Sequence, residues 1–246
     1  SVGGTVSADY WNSTNTSIKV TIPVATDSSL IGGTIQLEAN VADGGFETFG
    51  SAYTITGDDL GTSYEFSQTA SVFEALSGGL SDSESVTFRA IITDFGGNST
   101  TGTASGTTIA IDQTLPTVFY VTSSSSDGLY STGDILSLLI FTSDTVAVTG
   151  TPQLTLETGD SDETIDYTSG SNSTILVFNY TVASGNNSSD LDYEATSSLT
   201  LNGGTINDAA GNPLTLTLAT PGAINSLGAN NALVIDTTAP TNQNVV

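Results

Sequence analysis

The side chains able to do chemistry in this chain are almost all hard oxygen donors: 26 Asp and Glu stand against one lysine, Lys19, and one arginine, Arg89, with no histidine and no cysteine. Oxygen ligands of this kind suit Ca²⁺, which takes six to eight of them, whereas zinc and copper need the nitrogen or sulfur that is missing. The same gaps exclude other chemistry. No imidazole stands ready to activate a serine, and Lys19 is the lone side-chain amine, so nucleophilic catalysis has no machinery. Two carboxylates can in principle hydrolyse a glycoside, but a single tryptophan, Trp11, leaves little aromatic platform for a sugar. The sequence reads as non-enzymatic. Its formal charge of −24 excludes nucleic acid and anionic membrane surfaces as partners, because both demand positive charge from the protein. No apolar run reaches the roughly 18 residues of a membrane span, and without cysteine the redox compartment is not legible.

The carboxylates with informative spacing sit in motifs that recur. Ile111-Asp112-Gln113-Thr114-Leu115-Pro116 returns 124 positions later as Ile235-Asp236-Thr237-Thr238-Ala239-Pro240. A strand that runs into Asp, Thr and Pro ends there, since proline cannot donate to a ladder and pushes its predecessor into an extended conformation. Each copy is preceded by Asp-x-x-Gly-Asn, at Asp94 to Asn98 and at Asp208 to Asn212, whose Gly and Asn suit the positive φ of a hairpin turn. Asp27 precedes Asp94 by 67 positions and Asp144 precedes Asp208 by 64. A fixed internal period marks tandem modules. The spacing predicts domains at 1–114 and 115–238, with 239–246 a linker or the start of a further repeat.

Short strands at regular intervals must position these residues. Ile18, Val20, Ile22 and Val24 alternate with polar residues, as do Ile35, Leu37, Ala39 and Val41, and Val86, Phe88, Ala90 and Ile92. Tyr64, Phe66 and Phe73 supply larger core pieces, and Ile109 and Ile111 close the first module. In the second, strands are predicted over 117–121, 135–141, 153–156, 164–167, 175–182, 199–206, 214–218 and 232–235, separated by turn signals. The only helical candidate is 72–76. The class is all-β, two tandem sandwiches.

These motifs also carry a likeness. Asp-x-x-Gly-Asn, a strand, then Asp-Thr-Thr-Ala-Pro resembles the immunoglobulin-like tandem repeats of large bacterial and archaeal surface proteins, such as adhesin stalks and surface-layer proteins. The stretches Gly133-Asp134-Ile135, Val148 to Gly159 and Leu201 to Ile206 are similar to a subtype from marine prokaryotes. The resemblance implies immunoglobulin-like β-sandwiches, an extracellular location at the cell surface, tandem arrangement and calcium stiffening.

In such a sandwich the loop between the last two strands lies where the chain enters, and the last strand finishes at the opposite end. Stacked modules would then bring Asp112 towards Asp208 and Asn212, with Asp144 added from a loop at Thr142 to Thr145. By the same polarity Asp27, Asp94, Asn98 and Asp236 would serve joints with neighbouring repeats. The alternative is that these residues occupy turns because they tolerate turn backbones. A second acidic group, Asp160, Asp162, Glu163, Asp190 and Asp192, reads as a solvated rim. Asn-x-Ser/Thr sequons stand at Asn12, Asn15, Asn98, Asn172, Asn179, Asn186 and Asn187, so glycans are a possible partner. Joining Val246 to Ser1 would restore the order seen after Pro116, which suggests one period of a head-to-tail array, covalent or built by strand exchange; an arbitrary boundary explains the ends equally well. The expected function is a non-catalytic structural segment of a surface layer, sheath or fibre; the alternative is an adhesin module that grips a receptor or glycan.

Overall fold

Period-two alternation with a buried face is what makes these segments strands, and Thr34–Val41 shows it without a break: Ile35, Leu37, Ala39 and Val41 are buried while the residues between them are not. The structure, a computed structural model, describes residues 1–240; most of the expected linker lies outside the described residues. It is all-β with several sheets, and the chain divides into two units. The first comprises Ser1–Thr114 with Ala210–Asn212, and the second Leu115–Ala209 with the chain from Pro213 onward.

In the first unit one sheet runs in the order Tyr10–Trp11, Ile109–Ile111, Ser85–Thr93, Thr34–Val41, Phe46–Thr48. The other pairs Ser17–Pro23 with Ser63–Thr69, antiparallel and unbroken from Ser17↔Thr69 to Pro23↔Ser63. One core draws on both: Ile18 and Phe66 from the small sheet meet Ile35, Leu37, Val86 and Phe88 from the large one. Burying each such side chain stabilises by about 1.5–3 kcal/mol relative to leaving it in water. Phe73, on the short helix Ala70–Glu74, brings its ring 4.6 Å from that of Trp11. Both cations of the chain are paired here. Lys19 Nζ lies 2.7 Å from Glu65, and Arg89 Nε lies 2.6 Å from Glu38 with its guanidinium 3.9 Å over the Phe46 ring.

The second unit is also built from a larger and a smaller sheet. Ile135–Thr149 pairs with Ser173–Thr181, with Val118–Ser123 on its other side, and with Thr205–Asn207 over its last residues. Glu163–Ser169, Gln153–Glu157, Asp192–Tyr193 and Leu199–Thr200 complete the larger sheet, while Gly128–Tyr130, Leu233–Asp236 and Asn187–Ser188 form a smaller one. Both units share one unusual pairing: a short early strand lies parallel to the last. Trp11 pairs with Ile111 in the first, and Tyr130 with Ile235 in the second.

Four expectations change. The segment Thr142 to Thr145 is not a loop; it lies inside the 15-residue strand Ile135–Thr149, where the register shifts between Phe141 and Val146. A bulge absorbs the polar residues, and the Thr142 hydroxyl donates to the Asp144 carbonyl at 2.7 Å. The predicted strand 214–218 makes only an isolated bridge at Thr215, although Leu214 and Leu218 are buried. The predicted strand 199–206 is two, divided by Asn202 and Gly203 at positive φ. A second short helix, Leu227–Asn230, carries no helical periodicity in sequence.

Candidate functional site

The carboxylates singled out by their spacing cap backbone turns. Asp27 accepts from Ser29 N at 2.9 Å and opens a 3₁₀ turn. Asp144 accepts from Thr145 N at 2.6 Å. Asp112 accepts from Thr114 N at 3.3 Å and Asp236 from Thr238 N at 2.9 Å, so both copies of the Asp-x-Thr motif close the same local turn. That turn explains the recurrence of Asp and Thr without any ligand.

Asp94 and Asn98 are brought together. The Asp94 carboxylate accepts from Asn98 N at 2.8 Å and from Asn98 Nδ2 at 2.9 Å, and Gly97 takes the positive φ this turn requires. Hydrogen bonds from the Asn98 side chain and then its backbone hold the Asp94 carboxyl below the usual carboxylate range. The carboxylate stands in a surface turn, so its stabilisation of that turn is small, present above the ordinary Asp range and lost as pH falls. Asn212 belongs to the first unit and is fully buried there: its Oδ1 accepts from Ser13 N at 2.9 Å, and its Nδ2 donates to the Asp112 carbonyl at 2.9 Å. Asp208, in the second unit, is also buried. Among the described residues no group of three or more Asp, Glu, His or Cys is arranged to hold a metal ion. The observed contacts of these donors are those of turn and core residues.

The sequons divide by burial. Asn98, Asn172 and Asn179 are exposed and Asn187 half-buried, whereas Asn12, Asn15 and Asn186 are buried. Asn12 Nδ2 donates to the Thr5 carbonyl at 2.7 Å, and Asn15 Oδ1 accepts from Asn12 N at 2.9 Å. A glycan on Asn12, Asn15 or Asn186 does not fit this packing, which corrects the expectation at those three.

The acidic rim holds a polar network that its composition does not announce. The Tyr180 hydroxyl donates to Asn186 Oδ1 at 2.9 Å, and Asn186 Nδ2 reaches Glu163 at 3.4 Å. The Tyr193 hydroxyl donates to the Ala219 carbonyl at 2.6 Å, and Asp192 accepts from Gly222 N at 2.9 Å. Burial, and then the Glu163 carboxylate, pushes the Tyr180 hydroxyl up to about 12; burial and then Asp192 raise Tyr193 as well. Each raised phenol keeps its proton in the folded state at a pH where the unfolded chain releases it. The resulting stability is complete below about pH 10, the ordinary tyrosine value, and is lost as pH climbs towards the folded value. In an alkaline titration read by tyrosinate absorbance, Tyr180 and Tyr193 should ionise only as the second unit unfolds. Early, reversible ionisation of all tyrosines would show that these two are not held this way.

The first unit also has an open edge that the strand pattern did not signal. A cavity of about 410 Å³ lies beside Ser17–Pro23, lined by Val20, Ile22, Phe88, Ala90 and Ile92 among others. Among the described residues no helix is long and apolar enough to cross a membrane, which says nothing of a β-barrel.

No protein-family model matches the chain, and no similar sequence was found among curated proteins. Among solved structures, one from work on the host cell surface retention of a 1.5-MDa bacterial ice-binding adhesin is similar at a TM-score of 0.42 and 12% identity, over 84% of this chain. The chain spans 57% of that structure's length.

Proposed function

We propose that the chain is a non-catalytic, extracellular structural segment of a repeating cell-surface assembly, its two units being immunoglobulin-like sandwiches. The observation that carries the reading is the repeat within the fold. Each unit sets a short early strand parallel to its last strand, and each last strand runs into Ile-Asp, whose carboxylate caps the amide two residues on. Duplicated modules with no histidine to activate a serine and a formal charge of −24 fit an architectural role better than a catalytic one. Head-to-tail neighbours and glycans at the exposed sequons belong to the same proposal. A surface location is tested by labelling intact source cells with antibody to the chain; labelling only after lysis would refute it.

Calcium is part of the proposal on the strength of composition alone, because 26 carboxylates against two cations leave most of the negative charge uncompensated. Asp112, Asp144, Asp208 and Asn212 are the residues proposed to take it; when bound, the ion would offset carboxylate charge. At a concentration 100 times its dissociation constant a ligand stabilises by about 2.7 kcal/mol, so calcium should raise melting by several degrees over EGTA. The triple change Asp112→Asn, Asp144→Asn, Asp208→Asn should abolish that difference. Identical melting with and without chelator in the parent chain would remove calcium from the reading and leave the architecture standing.

A further inference from the structure

A strand with one face in the core and the other in water alternates apolar and polar residues, and the central strands of the second unit do not. Ile135–Thr149 begins Ile-Leu-Ser-Leu-Leu-Ile-Phe, and Ser173–Thr181 holds Ile-Leu-Val-Phe. Leu136, Leu138, Ile140, Leu176, Phe178 and Tyr180 are fully buried in the core. The alternate residues Leu139, Phe141, Ile175 and Val177 point the other way, are only half-buried and belong to neither core. The first unit's pair Ser17–Pro23 and Ser63–Thr69 keeps the alternation: it turns Lys19 and Thr21 outwards, opposite Ser67 and Glu65. Among the described residues that pair also lacks the flanking strand that Val118–Ser123 supplies in the second unit.

The register gathers the outward apolar side chains into two rows. Tyr120 lies opposite Phe141 and Phe141 opposite Ile175; in the next row Thr122 lies opposite Leu139 and Leu139 opposite Val177. The bulge between Val118 and Tyr120 frees Phe119, 65% exposed, to set its ring 5.5 Å from that of Tyr120. Neither row contains a charged side chain. Asp144, three residues beyond Phe141, and Asp166, which accepts from Gln153 at 2.9 Å, stand outside them. Strands that are apolar on both sides are suited to burial on both sides, and a contiguous apolar patch on the outer face of a sheet marks an interaction site.

Charge and shape select the occupant. The chain has no Lys or Arg from residue 115 onward, so an anionic partner is repelled, while a cationic one finds no counter-charge in these rows. A sugar ring needs an open aromatic face, but the Tyr120 and Phe141 rings are stacked with centroids 4.4 Å apart and 13° between planes, so each covers a face of the other. An uncharged sheet face rich in aliphatic side chains meets both conditions, and this chain itself presents one. We propose that two copies of the chain pack through this face of their second units, Leu139, Phe141, Ile175 and Val177 of one copy meeting the same residues of the other about a two-fold axis. Side chains interdigitating between sheets about 10 Å apart bury the second side of these strands. Only Phe119, Tyr120 and those four residues supply the apolar contact, against the roughly 20–30 residues a side of a standard interface, so a single contact is weak and gains strength by repetition along an array. This deepens, and rests on, the reading of the chain as a repeating assembly.

Sedimentation equilibrium of the full chain, made without glycans, tests the contact. The weight-average mass should rise with concentration towards twice that of the chain. Association should strengthen about threefold or more between about 0.05 and about 0.5 M salt, as ions screen two anionic copies from each other. Leu139→Glu, which sets like charges against each other across the two-fold contact, should weaken association about tenfold or more, whereas Ser67→Glu, the same charge on an exposed strand residue of the first unit, should change it less than about twofold. Leu139→Thr with Val177→Thr removes apolar surface and keeps β-branched strand formers, so it should weaken association by about tenfold without disturbing the fold. Unchanged melting of the second unit verifies the fold of each variant. A chain that stays monomeric up to its solubility limit, or association that both variants leave unchanged, overturns the proposal. So does association confined to the glycan-free chain. Asn179, an exposed sequon two residues past Val177, lies on this face, and a chain from source cells that dimerises only after its glycan is removed would show that carbohydrate covers the patch instead. None of these results touches surface labelling of cells, so loss of this contact is distinguishable from loss of the proposed function.

Discussion

Trp11→Ala should cost the first unit a large share of its stability and lower its melting temperature by roughly 10–20 °C. Trp11 is fully buried, its ring lies 4.6 Å from that of Phe73, and its indole Nε1 donates to Glu74 at 3.0 Å. Removing so large a buried side chain costs about 3–5 kcal/mol in transfer and cavity terms, a large share of the roughly 5–15 kcal/mol that holds a domain of this size. Position compounds the loss. Trp11 belongs to the short strand that pairs with Ile111, and its carbonyl accepts from Asp112 N at 2.9 Å, so the cavity opens where the first unit's last strand is held. Calorimetry of the full chain resolves the outcome, because the second unit should melt as before. Trp11→Phe, which keeps an aromatic ring against Phe73, should recover more than half of the loss. A Trp11→Ala chain melting within about 2 °C of the parent would show that the core does not depend on this residue.

Asn186→Ala should destabilise the second unit by about 2–4 kcal/mol, whereas Asn172→Gln and Asn179→Gln, at exposed sequons, should stay within about 0.5 kcal/mol of the parent. Asn186 Oδ1 accepts from the Tyr180 hydroxyl at 2.9 Å and from Ala183 N at 2.8 Å. Tyr180 is fully buried, so truncating the amide strands a hydroxyl and a backbone donor away from water. Each such orphan costs about 1–3 kcal/mol, and the two share one partner, so their sum is an upper bound. Denaturant titration of the second unit reads the difference. Equal stability of the Asn186→Ala and Asn172→Gln chains would mean that water, not the amide, satisfies Tyr180.

Sequence and structure agree where a single face of a strand is buried. The alternation at Thr34–Val41 and Ser85–Thr93 is legible because each inward residue meets the same core and each outward one meets water. It fails where a strand changes partners. Ile135–Thr149 pairs first with Ser173–Thr181 and then with Thr205–Asn207, and the polar residues at the changeover look like a loop because no composition rule marks a bulge. It fails differently at Leu214 to Leu218, where alternation reports burial of Leu214 and Leu218 but not a ladder. There Thr215 N donates to Pro116 O and Leu218 N to Thr196 O, two unrelated partners. The same limit governs the candidate sites. Asp112 and Asp236 were legible as a pair because their turn recurs, while a sequon tripeptide carries no sign of depth. Asn186 reads like Asn172 until its neighbours are known. The open edge beside Ser17–Pro23 is invisible in that strand's own residues and emerges only when the two units are set side by side.

The placement of the two basic residues has a consequence for handling the protein. Lys19 lies in Ser17–Pro23 and Arg89 in Ser85–Thr93, both committed to Glu partners within sheets. From residue 115 onward there is no Lys or Arg at all. A protease that cuts after basic residues therefore finds two scissile positions, and it reaches either only by opening the first unit. Such digestion leaves the entire second half of the chain as one fragment, and amine-directed labels would pass that half by.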